Sequence, residues 1–153
     1  MTNNDILRRI RFTFDLSDSK MISIFELVDM KTDRSQVSDW LKKDDDPAFR
    51  PMNDRIFATF LNGFIIDRRG RKDGGLPEAE KELTNNIIFR KLKIALDLKN
   101  EDILAMLDSM DFRLSKHELT AFFRNPKQEQ FRECKDQVLR NFLSGLQKKH
   151  QQN

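Results

Sequence analysis

The sequence predicts an all-α protein formed by tandem duplication of one four-helix module. Residues 2–64 align with residues 84–146 at a constant offset of 82 and without a gap, and the identical pairs include Asn4 with Asn86. In both segments the apolar residues recur at helical spacing, and neither segment shows the alternation of a strand. We expect the two copies to pack in a pseudo-two-fold or a stacked arrangement.

The repeat divides the chain into four parts. Residues 1–66 form the first copy, residues 67–83 a charged linker, residues 84–147 the second copy and residues 148–153 a polar tail. The glycines and charged residues in the first half of the linker are typical of a solvated segment. In its second half, Pro77 followed by acidic residues favours a short helix.

The first helix of each copy is predicted to begin at a threonine. Thr2 and Thr84 can cap a helix N-terminus through the side-chain hydroxyl, and in the first copy Asp5 completes a capping box. The apolar residues of this helix lie three or four positions apart and form one stripe. They are Ile6, Leu7, Ile10 and Phe14 in the first copy, and Ile88, Phe89, Leu92 and Leu96 in the second.

The second and third helices follow in each copy after short connections. The second helix is predicted near residues 18–28 and 100–110. Its buried stripe is Met21, Ile22, Phe25 and Val28, or Ile103, Leu104, Leu107 and Met110. The third helix opens with a capping box, Asp33 with Gln36 or Ser115 with Glu118. It buries Val37, Trp40 and Leu41, or Leu119, Phe122 and Phe123, and proline in the irregular stretch that follows stops it.

The fourth helix has an apolar stripe with a glycine beside it. The stripe is Ile56, Phe57, Phe60, Leu61 and Phe64, or Val138, Leu139, Phe142, Leu143 and Leu146. Gly63 and Gly145 occupy equivalent positions next to it. Because glycine inside a helix costs about 1 kcal/mol relative to alanine, its presence in both copies predicts a close backbone approach, either between helices or between the two modules.

Five segments of the chain carry a resemblance to a known family. They are residues 2–11, 40–45, 60–63, 115–124 and 136–143. These segments resemble the YehS-like bacterial proteins, which consist of two copies of a domain of unknown function. The resemblance implies no activity, cofactor or catalytic residue. The chain departs from the family pattern at Asp29 and Asp111, where a small residue or glycine is more usual in the turn before the third helix.

A basic stripe on the first helix is the first candidate site. Arg8, Arg9 and Arg11 recur as Arg90, Lys91 and Lys93. Positions 8 and 11 lie three apart on the side of the helix away from the apolar stripe. Such stripes can bind phosphates or an acidic partner. The other interpretation is a solvated helix face. We favour it because neither copy has a large excess of basic over acidic residues. Residues 1–66 carry ten basic and eleven acidic residues, and residues 84–147 carry eleven and nine.

A helix-turn-helix is the second candidate, formed by the second and third helices. Its third helix would enter a major groove. In the second copy it offers Lys116, His117, Thr120 and Arg124 as donors for base edges and phosphates. The alternative is an ordinary helical bundle, since any such bundle contains helix pairs with short turns.

The recurring Phe49-Arg50 and Phe131-Arg132 are the third candidate. Aromatic and arginine residues are common in binding hot spots, so these pairs could anchor a partner at the surface. In the interpretation we favour, Phe holds the irregular stretch against the core, and Arg pairs with Asp54 or Asp136 at the start of the fourth helix.

Composition argues against catalysis, metal binding and membrane insertion. The chain has one cysteine, Cys134, at an apolar position of the repeat, and two histidines with no metal-ligand spacing. The acidic residues 44–46 have no counterpart in the second copy. We expect no catalytic residue, no cofactor and no metal. A single thiol, a polar N-terminal segment and the lack of a long apolar stretch predict a cytoplasmic protein without membrane contact.

These observations predict a non-enzymatic interaction protein that binds a protein partner through its duplicated helical module. The alternative is a nucleic-acid-binding protein that uses the helix-turn-helix-like helices and the duplicated basic stripe. The candidate residues for either partner are Arg8, Arg11, Arg90, Lys93, Lys116, His117, Thr120 and Arg124. The sequence leaves the identity of the partner and the oligomeric state open.

Overall fold

A computed structural model describes residues 1–151, and these residues form eight α-helices and no strand. The helices are α1 (Asn3–Phe14), α2 (Asp18–Glu26), α3 (Arg34–Leu41), α4 (Asp54–Arg69), α5 (Asn85–Ala95), α6 (Asn100–Asp108), α7 (Lys116–Ala121) and α8 (Asp136–Gln151). The prediction of an all-α fold made of two four-helix modules is confirmed. The chain separates into two compact units, one spanning Met1–Leu83 and one that begins at Thr84.

The predicted capping residues begin the helices as expected. Thr2 and Thr84 accept hydrogen bonds from backbone amides of α1 and α5, and Asp5 completes the capping box of α1. Asp33 accepts from the Gln36 amide at the start of α3. Ser115 and Glu118 form a complete capping box at the start of α7. These side chains satisfy amide groups that a helix N-terminus leaves without partners.

Two predicted segments differ from the structure. Residues 77–82 of the linker form no helix, because a segment this short gains too few backbone hydrogen bonds to offset the cost of starting a helix. Residues 148–151 of the predicted polar tail belong to α8, and residues 152 and 153 lie outside the described residues. The first residues of the predicted linker, 67–69, belong to the end of α4, where Asp67 pairs with Lys20 at 2.6 Å.

Four aspartates end helices by adopting left-handed backbone conformations. Asp15 and Asp97 have φ of 52°, and Asp29 and Asp111 have φ of 59° and 57°. Glycine usually fills such positions, but a short polar side chain tolerates them better than other residues do. The turns that lead into Asp29 and Asp111 are closed by hydrogen bonds between residues three apart, so α2 and α6 end at Glu26 and Asp108, earlier than predicted. At the two turns where the family pattern favours glycine, aspartate adopts the same conformation.

The core of each module is built around aromatic side chains. In the first copy the Phe25 ring lies 5.5 Å from the rings of Trp40 and Phe60. In the second copy Phe89 takes the central position, 4.6 Å from the Phe142 ring. Most of the predicted stripes are buried.

The buried stripes of α2 and α6 differ from the prediction at two positions each, and one of these pairs, Val28 and Met110, lies beyond the helix ends and is half-buried. Ile24 and Met106 are buried, whereas the predicted Ile22 and Leu104 are only half-buried. Ile24 and Met106 face the neighbouring fourth helix, where a glycine leaves room for them. The predicted stripe was therefore rotated slightly about the helix axis.

Gly63 and Gly145 let two helices of each module come into backbone contact. A Cβ atom on Gly63 would lie 2.3 Å from the carbonyl oxygen of Ile24 in α2. A Cβ atom on Gly145 would lie 2.5 Å from the carbonyl oxygen of Met106 in α6. Both distances are too short for any side chain. The predicted close approach is confirmed, and it lies between helices of the same module.

A buried asparagine joins the first helix to the rest of each module. The Nδ2 group of Asn4 donates to the carbonyl oxygens of Trp40 at 2.9 Å and Arg50 at 3.0 Å, and its Oδ1 atom accepts from the Met52 amide at 2.9 Å. The corresponding asparagine of α5, Asn86, makes the equivalent three bonds. Each asparagine thus satisfies one carbonyl at the end of the third helix and two groups in the irregular stretch.

The favoured interpretation of Phe49-Arg50 and Phe131-Arg132 is wrong about the ion pair. The carboxylates of Asp54 and Asp136 accept from the side chains of Asn3 and Asn85, at 2.8 and 2.7 Å. Arg50 and Arg132 contribute through their backbone. Their carbonyls bind the buried asparagines, and their amides donate to the third helix of each module at 3.1 and 3.2 Å. These backbone contacts do not involve the guanidinium groups, so they leave the recurrence of arginine itself unexplained.

No described helix combines the length and the apolar character that crossing a lipid bilayer requires.

Replacing Gly63 by alanine tests the contact between α2 and α4. We expect Gly63→Ala to lower the free energy of unfolding by about 1–3 kcal/mol, because the new methyl group overlaps the Ile24 carbonyl. In an uncrowded helix the same change raises stability by about 1 kcal/mol, so the sign of the effect is diagnostic. Urea unfolding measures it. The control is Thr59→Ala on the same helix, whose hydroxyl binds only the Arg55 carbonyl. A stabilised Gly63→Ala variant would contradict the close approach.

Candidate functional site

The first helix of each module exposes one large apolar side chain. Phe12 on α1 is 64% exposed and Ile94 on α5 is 41% exposed, and within residues 1–151 these are the large apolar side chains classed as exposed. Their positions are equivalent, since they are 82 residues apart. The sequence analysis missed them because it followed the buried stripe and the charges. The signal was present as an apolar residue, in both copies, on the polar side of the helix.

The basic residues Arg8 and Arg11 of the first copy bind other residues of their own module. Arg8 donates one hydrogen bond to the Lys42 carbonyl at 2.6 Å and a second, shorter one to the carboxylate of Asp5. Arg11 lies 3.7 Å from Asp18. Partial burial works against ionisation of Asp5, but hydrogen bonds from Thr2 and the charge of Arg8 outweigh it, so the pKa of this carboxyl is lowered.

The corresponding stripe of the second copy lacks these acidic partners. The positions of Asp5 and Asp18 are taken by Ile87 and Asn100. Arg90 is exposed, and Lys93 places its ammonium group 4.9 Å from the centre of the Phe123 ring. The first helix recurs in both modules. In the first module its arginines are paired with carboxylates, whereas in the second Arg90 and Lys93 have no such partners.

The proposed helix-turn-helix pairs are α2 with α3 and α6 with α7. The α7 helix has only 6 residues, and Arg124 lies beyond its end, where it binds the side chain of Gln130. Lys116 lies 3.6 Å from Glu101, and the Thr120 hydroxyl donates to the His117 carbonyl at 3.0 Å. His117 is exposed in the first turn. Of the four predicted residues, three share α7 and the fourth does not.

Two surface grooves lie beside helices of the modules. One, of about 460 Å³, is lined by residues near the N-terminus of α1 and by the irregular stretch, including Asn3, Asp44 and Phe49. The other, of about 360 Å³, lies between α6 and α8 and is lined by Glu101 and Lys148 among others. The Lys148 ammonium group donates a hydrogen bond to the Ser109 carbonyl at 3.1 Å. This basic side chain of the second groove is therefore already bound to a backbone group of its own module.

Cys134 and the acidic residues 44–46 are the groups whose catalytic potential the sequence analysis considered. Cys134 is 1% exposed, and burial raises the pKa of its thiol to about 12, so the thiol stays protonated and out of reach of a substrate. The acidic residues 44–46 are exposed. Among residues 1–151 there is no group of three or more histidine, cysteine, aspartate or glutamate side chains placed to hold a metal ion.

Comparison with known proteins agrees with the duplicated architecture. The family model described as "Protein of unknown function (DUF1456)" matches residues 3–70 and again residues 85–151. The chain belongs to this family. The two matched segments contain α1 to α4 and α5 to α8, so one copy of the family's domain corresponds to one four-helix module.

A relative from Escherichia coli is similar over nearly the whole chain. It is the uncharacterized protein YehS of Escherichia coli (strain K12), which is 42% identical over 148 residues, covering 95% of this chain and 94% of that protein. No solved structure matches the chain. The family description names no activity, so the role of the DUF1456 modules has to be argued from their surfaces.

Arg8 and Arg90 occupy equivalent positions but have different surroundings, which gives a test of the site geometry. We expect Arg8→Ala to lower the free energy of unfolding by about 1–2 kcal/mol, because it removes two charged hydrogen bonds at a side chain that is 26% exposed. We expect Arg90→Ala to change it by less than about 0.5 kcal/mol. Urea unfolding of both variants measures the difference. Equal losses would contradict the assignment of Arg8 to structure and Arg90 to the free surface.

Proposed function

We propose that the protein is a non-enzymatic interaction protein of the cytoplasm that binds a protein partner through the first helix of each module. The proposal rests on one observation: Phe12 on α1 and Ile94 on α5 are both exposed apolar side chains, and they occupy equivalent positions of the two modules. Single exposed apolar residues are common on protein surfaces. Recurrence at the same position of both modules is less easily explained by chance.

The surroundings of these side chains support a protein partner. Complete burial of a fully exposed large apolar side chain contributes about 1.5–3 kcal/mol, and Phe12 and Ile94, which are 64% and 41% exposed, can contribute the corresponding part of it. Arginine and aromatic residues are typical of the central part of binding interfaces, and Phe12 lies one turn from Arg8 and next to Arg11. Arg90 lies one turn from Ile94 in the second module. A duplicated contact of this kind also permits two-point binding, which strengthens weak individual contacts.

The properties of Cys134 support a role without catalysis. Its thiol is buried and protonated, and a single thiol suits a reducing compartment such as the cytoplasm. Nucleic-acid binding through α3, α7 and the basic stripe is the alternative function. It receives less support because Arg8 and Arg11 already interact with carboxylates of their own module.

Affinity capture with a matched pair of variants tests the proposal. The full chain is immobilised and exposed to a lysate of the cells it comes from, with and without nuclease treatment, and bound proteins are identified by mass spectrometry. We expect specific proteins to be retained by the wild type in both lysates and to be depleted at least fivefold by the double variant Phe12→Ser with Ile94→Ser. The reason is that the variant removes both exposed apolar side chains.

The control for this experiment changes the fourth helices in the same way. Arg55→Ser with Gln137→Ser alters two exposed residues at equivalent positions of α4 and α8, and it should leave capture unchanged. Retention that disappears after nuclease treatment would support the nucleic-acid alternative and contradict the proposal. Identical capture by all three proteins would contradict it as well.

A further inference from the structure

The second module carries a helix face that combines aliphatic and cationic side chains. Ile87, Arg90 and Ile94 lie three and four residues apart on α5 and therefore share one side of the helix. Lys93 flanks Arg90 one turn further along the same side. Ile87 and Lys93 are half-buried, whereas Arg90 and Ile94 are exposed. We call these four residues the α5 face.

Arg90 and Lys93 of the α5 face form no ion pair with a carboxylate among residues 1–151. The acids that bind the corresponding arginines of the first module are replaced by Ile87 and Asn100. Arg90 makes no hydrogen bond or ion pair within residues 1–151, and Lys93 contacts the neutral ring of Phe123. Where the first module has Asp5, the second has Ile87. This difference removes a negative charge and adds apolar surface at the same point.

We infer that the α5 face binds an acidic, amphipathic segment of a protein partner. Aliphatic side chains of the segment pack on Ile87 and Ile94, and its carboxylates pair with Arg90 and Lys93. Charge complementarity selects the acidic character of the segment. The spacing of Ile87 and Ile94, two helical turns apart, suits a partner that presents its own apolar residues at matching intervals.

Protein is favoured over nucleic acid by the kind of apolar surface that is exposed. Surfaces that bind single strands use exposed aromatic rings on which bases stack, but the exposed apolar residues of the α5 face are aliphatic. The second module also carries only two more basic than acidic residues, since residues 84–147 contain eleven and nine. That excess is small for a phosphate-binding surface.

The inference rests on the proposed protein-binding function and adds the chemistry of the partner. A selection from peptides of random composition tests it even though the partner is unidentified. A phage library of random 16-residue peptides is selected on the immobilised full chain. We expect the enriched peptides to combine Asp and Glu with Leu, Ile or Val, and to be poor in Lys and Arg. The most enriched peptide is then synthesised with a fluorescent label, and its Kd is measured by anisotropy.

Three variants of the full chain locate the binding surface. Arg90→Glu and Ile94→Ser should each weaken binding of the labelled peptide at least tenfold. The double variant Ile87→Asp with Asn100→Asp, which restores the acids of the first module, should do the same. The matched control Arg55→Ala, an exposed arginine on α4, should leave the Kd within twofold. Binding to the wild type should weaken as NaCl rises from about 50 to about 300 mM, because part of it depends on exposed charges. Circular dichroism confirms that each variant is folded.

The inference is overturned by three results. These are enrichment of neutral or basic peptides, no enrichment at all, and an acidic peptide whose Kd is unaffected by the α5 variants. A labelled 20-nucleotide single strand is measured in parallel, and binding of it that is tighter than peptide binding and lost in Arg90→Glu would replace the protein segment with nucleic acid. If lysate capture depends on Phe12 and Ile94 while the selected peptides are not acidic, the proposed function stands and this inference alone fails.

Discussion

Each module depends on one buried amide side chain. The irregular stretch between the third and fourth helices offers backbone groups that no helix satisfies, and burying them without partners costs about 1–3 kcal/mol per group. Asn4 and Asn86, which are 2% and 7% exposed, each bind two such groups and one carbonyl at the end of the third helix. Only a side chain with two donor hydrogens and one acceptor oxygen, of this length, can do so. The position of the first helix, and hence of its outer face, follows from these bonds.

The two modules therefore share a frame and differ at the surface. The residues that fix the backbone of each module recur in equivalent surroundings. They are the buried asparagines, the aspartates with left-handed backbone conformations and the glycines of the fourth helices. On the outer face of the first helix the apolar position recurs, at Phe12 and Ile94, but the acids beside it do not. Duplication that keeps the frame and changes the charge gives one chain two related helix faces that differ in charge.

The fold could be predicted from the sequence, because the repeat shows each pattern twice. Helix starts were predictable from Thr2 and Ser115, whose capping chemistry is local. The role of Arg50 was not, because its backbone, and not its side chain, makes the contacts. The exposed Phe12 was also missed, since local spacing cannot show that an apolar residue on the polar side of a helix stays uncovered in the folded module.

The most direct measurement for the central constraint is the stability of variants that lack the buried amide. The account predicts that Asn4→Ala and Asn86→Ala each lower the free energy of urea unfolding by about 3 kcal/mol or more, because three backbone groups lose their partner. Asn141→Ala, which removes a bond to a carbonyl of its own helix, should cost less than about 0.5 kcal/mol. Losses of equal size at all three positions, or a loss below about 1 kcal/mol at Asn4 and Asn86, would contradict it.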